Sequence, residues 1–377
     1  MHIACTQENL LQGLSLVSHI TAKQTNLPIL GNVLLKTEGG GLKLFSTNLE
    51  MAISAQVRGV VESPGEFTVP AKLLQDYISL LPSGKVELIL KDDVLEVRAH
   101  GSSTTMRGMP SSEFPLIPKL ALEAGYQIKA EALKLAIAQT VFAVSASEAR
   151  PELGGVACFF HNPDEEGKLV FAATDSYRLS ERVLEIDGGS KVSQHCIVPS
   201  RAMQEMGRII SSYKDDVDMP ETIEWSVTES QMVMTYGKVE LISRLIEGSF
   251  PPYRQIMPSE SKTKCIVAKS ELQKAIKAAS LFARQGVFDI HVEIDATKGM
   301  TVSSSDTGTG AHSSTLKADI SGESVNKVIL NYKYFSDGLS ALSGDQVEFQ
   351  CIDGMNPVTL SSKGTEGFKY IIMPIRS

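Results

Sequence analysis

Seven histidines, five cysteines and a few acidic doublets are the side chains of this 377-residue chain that could hold a metal or activate a nucleophile. Zinc-dependent hydrolysis needs two imidazoles one helical turn apart with a carboxylate between them, as in HExxH, so that both face one ion. His2, His19, His100, His161, His195, His291 and His312 show no such spacing. Cys5, Cys158, Cys196, Cys265 and Cys351 form no CxxC and mostly sit in apolar, strand-like runs, the pattern of reduced, buried thiols. Two-metal chemistry would need converging carboxylates. The best acidic clusters, Asp92-Asp93 and Asp215-Asp216 with Asp218, fall between strand and helix patterns, where solvated turns belong. A GxxxxGK[ST] phosphate loop, a GxSxG elbow and a GxGxxG following a first strand are all missing. The sequence therefore predicts no catalytic residue, no metal and no cofactor.

The remaining chemistry is charge. The chain is acidic, with a formal net charge of −8, which argues against nonspecific nucleic-acid adhesion. The six helix-patterned segments, 7–22, 70–81, 130–147, 199–214, 269–284 and 331–343, run the other way, with ten Lys or Arg against six Asp or Glu. Cations near a helix C-terminus are favoured by the helix dipole in any protein. The bias also suits a polyanion facing the helices.

The elements that carry these charges occur three times. HIACTQENLLQGLSLVSHI from His2, YQIKAEALKLAIAQTVFAV from Tyr126 and KCIVAKSELQKAIKAASLF from Lys264 each read as a strand followed by a helix with one apolar stripe, aligned on Leu10, Leu133 and Leu272. A strand ending in a polar turn follows each: LFSTN to Asn48, FAATD to Asp175, VSSSD to Asp306. A second strand–helix aligns on Pro70, Pro199 and Asn331. Period-two strands close each repeat, among them Val86–Leu90, Ile223–Val227 and Val347–Cys351, separated by tight turns that imply antiparallel pairing. The fold class is therefore α+β: three tandem copies of one domain, two helices on antiparallel sheets. The predicted domains are 1–122, 123–253 and 254–377, with linkers near Leu120–Gly125 and Tyr253–Lys262.

Repeated sheets leave edges that must be covered. Neighbouring domains are expected to meet edge to edge, leaving one free edge at each end of the array. A head-to-tail homodimer would use both, closing a six-domain ring with the basic helices inside. No apolar run reaches the length of a membrane span, and the N-terminus lacks the pattern of a secretion signal, so a cytoplasmic protein with no membrane partner is expected.

The chain resembles the bacterial DNA polymerase III beta subunit, the sliding-clamp family. The resemblance is carried by LPILGNVLL (27–35), STNLEM (46–51), FTVPAKLL (67–74), AATDSYRLS (172–180), IVPSRAM (197–203), GSFPPYRQIMP (248–258) and YIIMPIRS (370–377), in order through all three repeats. It implies a dimeric ring around duplex DNA, bound without regard to sequence. It further implies a pocket that tethers the polymerase III alpha subunit, the clamp loader and other proteins carrying a clamp-binding motif, one with a Gln and a Leu/Phe end.

The resemblance carries the pocket over residue by residue. Thr174, Arg178 and Leu179 match the family's Thr-Asp-Gly-His-Arg-Leu run, with Ser176 and Tyr177 in place of Gly and His. Arg150 and Leu153 match one wall. Pro251 and Ile256 match another, with Gln255 where arginine is familiar. Met355, Pro357 and the tail Ile371, Ile372, Met373, Pro374, Ile375 and Arg376 complete it, with Ser377 where the family ends on an apolar residue. The DNA candidates are Lys23, Lys72, Arg201, Lys274 and Lys277, together with Gln24, which stands near a familiar arginine. Leu281 matches a dimer-interface position, and Met106 lies on the expected opposing edge. Two rival readings remain at this level. An enzyme on a repeated α+β scaffold lacks a ligand constellation, and an adhesive repeat protein lacks a secretion signal and does not explain the basic helices.

Overall fold

The computed structural model describes residues 1–21, 27–117, 125–162, 165–189, 193–213, 219–323 and 325–376. Among the described residues, six helices start where the repeat places them: α1 Gln7–Val17, α2 Ala71–Leu80, α3 Ala130–Thr140, α4 Ser200–Ser211, α5 Lys269–Ser280 and α6 Tyr332–Ala341. None is long and apolar enough to cross a membrane. Thr6 caps α1 by accepting from the Asn9 amide at 3.2 Å, and Asn331 caps α6 by accepting from Lys333 at 2.9 Å.

The first helix of each repeat stops earlier than its apolar stripe predicts. α1 tightens into a 3-10 turn over Ser18–Ile20 and α3 into another over Val141–Ala143. A buried serine from the underlying sheet meets each helix end. The hydroxyls of Ser46, Ser180 and Ser304 donate to the carbonyls of Val17, Gln139 and Ala279, each at 2.5 Å. Ser46 and Ser304 are equivalent in the repeat. Ser180 is not: it pairs across the sheet with Ala173, which holds the equivalent place. The carbonyl is satisfied from the neighbouring strand instead.

The chain forms two compact units, and the division runs through the central repeat. One comprises Met1–Glu131, Asp187–Ser190 and Glu205–Leu245; the other comprises Ala132–Ile186, Lys191–Gln204 and Ile246–Ser377. In the first unit a five-stranded sheet runs from Gly59–Ser63 through His2–Thr6, Lys85–Lys91 and Val94–Ala99 to Ser102–Arg107. Asp92 and Asp93 form the hairpin between its third and fourth strands, both at positive φ (44° and 59°), so this acidic doublet is a tight turn. A nine-stranded sheet joins the first repeat to the central one: Met51–Val57 pairs with Val239–Arg244, Met51 opposite Ser243 and Ala55 opposite Val239.

The second unit repeats this plan. Its nine-stranded sheet joins Arg178–Glu185 of the central repeat to Phe368–Ile372 of the third, Arg178 opposite Ile372 and Arg182 opposite Phe368. A four-stranded sheet, Gly310–Leu316, Gly299–Asp306, Asp289–Asp295 and Val325–Asn331, backs the third repeat. Its core packs Leu272, Ile276, Phe335, Leu339 and Phe349 around Tyr370. Gly338 lets α6 lie on that ring, since a Cβ there would sit 2.2 Å from Tyr370. All five cysteines are buried and unpaired. The expected linker at Tyr253–Lys262 begins with structure: Tyr253–Ile256 is a 3-10 turn, and Tyr253 is buried. The other expected linker, and Asp215, Asp216 and Asp218, fall mostly or wholly outside the described residues.

Candidate partner-binding site

The turn Thr174–Arg178 is built by side chains that bond their own backbone. Asp175 Oδ1 accepts from the amides of Tyr177 and Arg178, both at 3.0 Å. The Thr174 hydroxyl donates to Arg178 O at 2.6 Å and accepts from the Ser176 amide at 3.1 Å. Ser176 is thereby held at φ 79°, a conformation that suits glycine. The first repeat makes the same turn, with Asn48 as acceptor and Leu49 at φ 74°. What differs is the side chain presented: Tyr177 stands 64% exposed at the tip. Arg150 Nη1 lies 3.4 Å from Ser176 Oγ, and Arg150 Nε pairs with Glu152 at 3.0 Å.

Several residues expected to line a pocket are buried in the core beneath the turn. Leu153, Leu179 and Ile371 are at most 2% exposed and pack with Ala157, Ala172, Ile197, Phe250 and Tyr253. Ile372 faces the core of the third repeat, and Thr174 is buried in its turn. Alternation along Arg178–Glu185 and Phe368–Ile372 explains this: pairing Leu179 with Ile371 buries one face and pairing Arg178 with Ile372 sets the other. The accessible apolar groups are Ile256, 45% exposed, with the half-buried Pro251, Met373 and Pro374. Gln255 and Arg376 are exposed.

Arg178 is not a rim cation. Its side chain is 11% exposed and fully engaged. Nε pairs with Asp175 at 3.0 Å, Nη1 with Asp337 at 2.6 Å, and Nη2 donates to Phe142 O at 2.7 Å. The guanidinium also lies over the rings of Tyr334 (4.6 Å) and Phe142 (5.5 Å). It fastens the turn to α6. Planarity and five donors suit arginine to this buried junction.

The tail is strapped across the second unit by two backbone bonds, Met373 N to Tyr177 O and Ile375 N to Ile329 O, each 2.8 Å. Ile375 and the exposed Met355 line a different space, a cleft of about 830 Å3 over the four-stranded sheet, with His291, Ser303, Ser313 and Lys327. Met355 and Pro357 belong to a loop organised by Asp353, which accepts from the amides of Met355 (2.8 Å) and Asn356 (3.0 Å). Those bonds, the Met355 amide first, hold the Asp353 carboxyl below its usual range. The structure thus divides the expected set between the turn with its apolar floor and this cleft.

Sequence reasoning missed Ala172, Glu181, Tyr253, Tyr334 and Asp337. The repeat holds a signal for the first. Where the first repeat has Phe45 packed with Ile29, Leu30 and Phe114, the central repeat has Ala172. For Glu181 and Tyr253, 72 residues apart, the repeat shows only that Ser54 and Ile117 stand in their places.

The cations behave unequally. Lys274 and Lys277 are exposed on one face of α5, and Arg201 is exposed in the first turn of α4. Lys72 is exposed and 3.3 Å from Asp76. Other helix cations counted in the sequence are occupied, among them Lys333, 3.5 Å from the centroid of the Phe288 ring. Arg208 pairs with Glu205 and donates to Ser15 O and Leu16 O. Lys269 donates to Leu342 O at 2.6 Å, and Arg284 bonds Asp289. Lys23 and Gln24 lie outside the described residues. On the first sheet, His2 Nδ1 sits 2.7 Å from Glu62, and Lys85 pairs with Glu87 at 2.9 Å, an ion network the sequence did not reveal.

At the expected interface positions, Leu281 is 73% exposed at the end of α5, next to Phe282, which stacks on His312 of the edge strand at 5.9 Å. Met106 is 4% exposed and turned into its own core, so it is not a free apolar contact. Among the exposed apolar groups of the first repeat are Leu73 and Leu80 on α2, at 53% and 83%.

Comparison with known proteins accounts for nearly the whole chain. Models of the N-terminal, central and C-terminal domains of the DNA polymerase III beta subunit match residues 1–118, 127–252 and 254–376. A beta sliding clamp of Synechococcus elongatus is 31% identical over 383 positions, covering 100% of this chain and 99% of the relative. The crystal structure of a DNA polymerase sliding clamp from Bacillus subtilis superposes with a TM-score of 0.92 at 26% identity, covering 100% and 99%. A Pseudomonas aeruginosa sliding clamp bound to griselimycin shares the fold, with a TM-score of 0.92 at 24% identity over the full length of both chains. The chain therefore belongs to the DNA polymerase III beta subunit family, the beta sliding clamps.

Proposed function

We propose that two copies of this chain close head to tail into a ring around duplex DNA, and that the surface around Tyr177, Ile256 and Met373 tethers replication proteins to it. Family membership makes the chain a DNA sliding clamp, a processivity subunit without chemistry of its own. Its expected partners are the polymerase III alpha subunit, the clamp loader and other proteins with clamp-binding motifs. Its expected compartment is the cytoplasm.

The observation that carries the ring is the rule joining the repeats. At both internal junctions, the strand after the polar turn of one repeat pairs with the last strand of the next. Applied once more, the rule selects Gly310–Leu316 and Ser102–Arg107. Both end their sheets unpaired, among the described residues. It also yields a register. Hairpin pairing makes Met106 equivalent to Ser243 and Ile372, opposite Leu95, Met232 and Val358 respectively. Gly310 is likewise equivalent to Met51 and Arg178. Across the subunit boundary Gly310 then faces Met106 of the second copy, Ala311 faces Thr105 and Ser313 faces Ser103. The same step brings the exposed Leu281 toward the exposed α2 face bearing Leu73 and Leu80.

Cysteine cross-linking tests this, since all native cysteines are buried. Ala311→Cys with Thr105→Cys, and Ser313→Cys with Ser103→Cys, should each give covalent dimers, because directly opposed strand residues fall within disulfide reach. Ala311→Cys with Ser103→Cys, two residues off register, should not. Equal cross-linking of all three pairs, or none, rejects the register. For the tether, griselimycin is the probe: supporting the reading are the apolar groups around Tyr177 and the tail, and binding should be lost in Met373→Ala.

A further inference from the structure

The 3-10 turn Tyr253–Ile256 carries Gln255 and Ile256, yet its own bonds are short-range. Tyr253 N reaches Pro251 O, Gln255 N reaches Pro252 O and Met257 N reaches Arg254 O. Pro252 supplies no side-chain cap. Two things hold the turn to the body of the unit. One is an aromatic cluster of Phe159, Phe250 and Tyr253, with ring centroids 6.0–6.4 Å apart. The other is polar: the Tyr253 hydroxyl donates to Glu181 Oε2 at 2.6 Å, with both residues more than nine-tenths buried. Arg254 Nε stands 3.6 Å from the same carboxylate.

We infer that Glu181 is a positioning residue of the partner pocket, acting through Tyr253 to set where Ile256 and Gln255 stand against the floor made by Leu179. The inference rests on the pocket reading above. Glu181 is two residues from Leu179 on the same strand, so both side chains project from one face of the sheet. A buried carboxylate, here beside Leu179 and opposite Lys369, is costly unless bonded, and so is a hydroxyl buried without an acceptor. The bond therefore selects one placement of the turn more sharply than apolar contact could. The internal repeats isolate it: the equivalents of Glu181 are Ser54 and Ser313, and the equivalent of Tyr253 in the first repeat is Ile117. The pair belongs to the repeat that carries Tyr177 and the apolar floor. Glu181 touches no part of the proposed ligand surface itself.

The test is griselimycin affinity by calorimetry at 20 °C on the full-length protein, with thermal unfolding and sedimentation run in parallel. Tyr253→Phe removes one hydroxyl and should weaken binding about tenfold; Glu181→Leu should do the same. Glu181→Gln, which keeps an acceptor for the hydroxyl, should bind within threefold of the wild type. The double variant Glu181→Leu/Tyr253→Phe should lose no more than Glu181→Leu alone, because the bond to the Tyr253 hydroxyl is already gone in that single variant. The dimer should persist in all four. Unchanged affinity in folded Tyr253→Phe and Glu181→Leu, with only a lower Tm, overturns the inference and leaves Glu181 a stability residue. Failure of Glu181→Gln to restore binding also overturns it. Met373→Ala separates the two levels: if it binds griselimycin like the wild type, or if the wild type does not bind, the pocket reading falls and this inference with it.

Discussion

Leu281 offers the most direct test of ring closure. It is 73% exposed in the single chain and stands beside the unpaired strand Gly310–Leu316. Burying a leucine side chain completely is worth about 1.5–3 kcal/mol. Covering the exposed share therefore yields roughly 1–2 kcal/mol per contact. A twofold ring contains the contact twice, so Leu281→Ala should cost the dimer roughly 2–4 kcal/mol, a rise in Kd of about 30- to 700-fold. Leu281→Asp should cost more, because a carboxylate would be enclosed without a partner. Sedimentation velocity over a dilution series measures the constant directly. Leu116→Ala is the control: it removes an even more exposed leucine (98%) that the junction rule does not place at the boundary. A Kd for Leu281→Ala within threefold of the wild type, or an equal shift from Leu116→Ala, would refute the argument.

Replacing Lys274, Lys277 or Lys72 with Ala should weaken DNA binding to the same degree on all sequences and reduce the slope of log K against log salt by about one; fluorescence anisotropy across a salt series reads both. Lys72 should have the smallest effect, since Asp76 already sits 3.3 Å from it. Deleting residues 373–377 should abolish griselimycin binding while leaving the dimer, because no junction strand extends beyond Ile372; calorimetry and sedimentation separate the two readouts. Ser176→Gly should release a left-handed backbone costing about 1–3 kcal/mol, offset by about 0.5–1 kcal/mol of added chain entropy, for a net gain of roughly 0–2.5 kcal/mol in thermal unfolding; a lower Tm would contradict it.

Elements with a local cause were legible from the sequence. Apolar stripes located all six helix starts, period-two alternation located the closing strands, and Asp92-Asp93 already had the composition of a hairpin turn. Helix ends were less legible, because Ser46, Ser180 and Ser304 act from strands distant in sequence. Residue type alone could not divide the pocket set. Leu179 and Ile371 pack with Phe250 and Tyr253 only because they are register partners, and a shift of one residue would have turned them to the opposite face of the sheet. Arg178 looked available because its partners Asp337 and Phe142 O lie on other elements of the second unit. Met106 likewise looked like an apolar contact of the edge until pleating turned its side chain inward. The bond between Tyr253 and Glu181 has no local signature at all.

The two unpaired strands have a consequence for the chain when it is not in a ring. Their edges are different surfaces, so the contact between them is directional, and a chain whose curvature failed to close after two copies would grow into an open filament. The strands themselves limit that hazard. SSTTMR and GAHSSTL are short and rich in hydroxyls and small residues, with Met106 folded inward and Leu316 half-buried. Such edges offer backbone bonds but little apolar area to a wrong partner. Affinity for the right partner is then left to flanking groups such as Leu281. Under the proposed closure, an opened clamp would stay dispersed while retaining the means to shut.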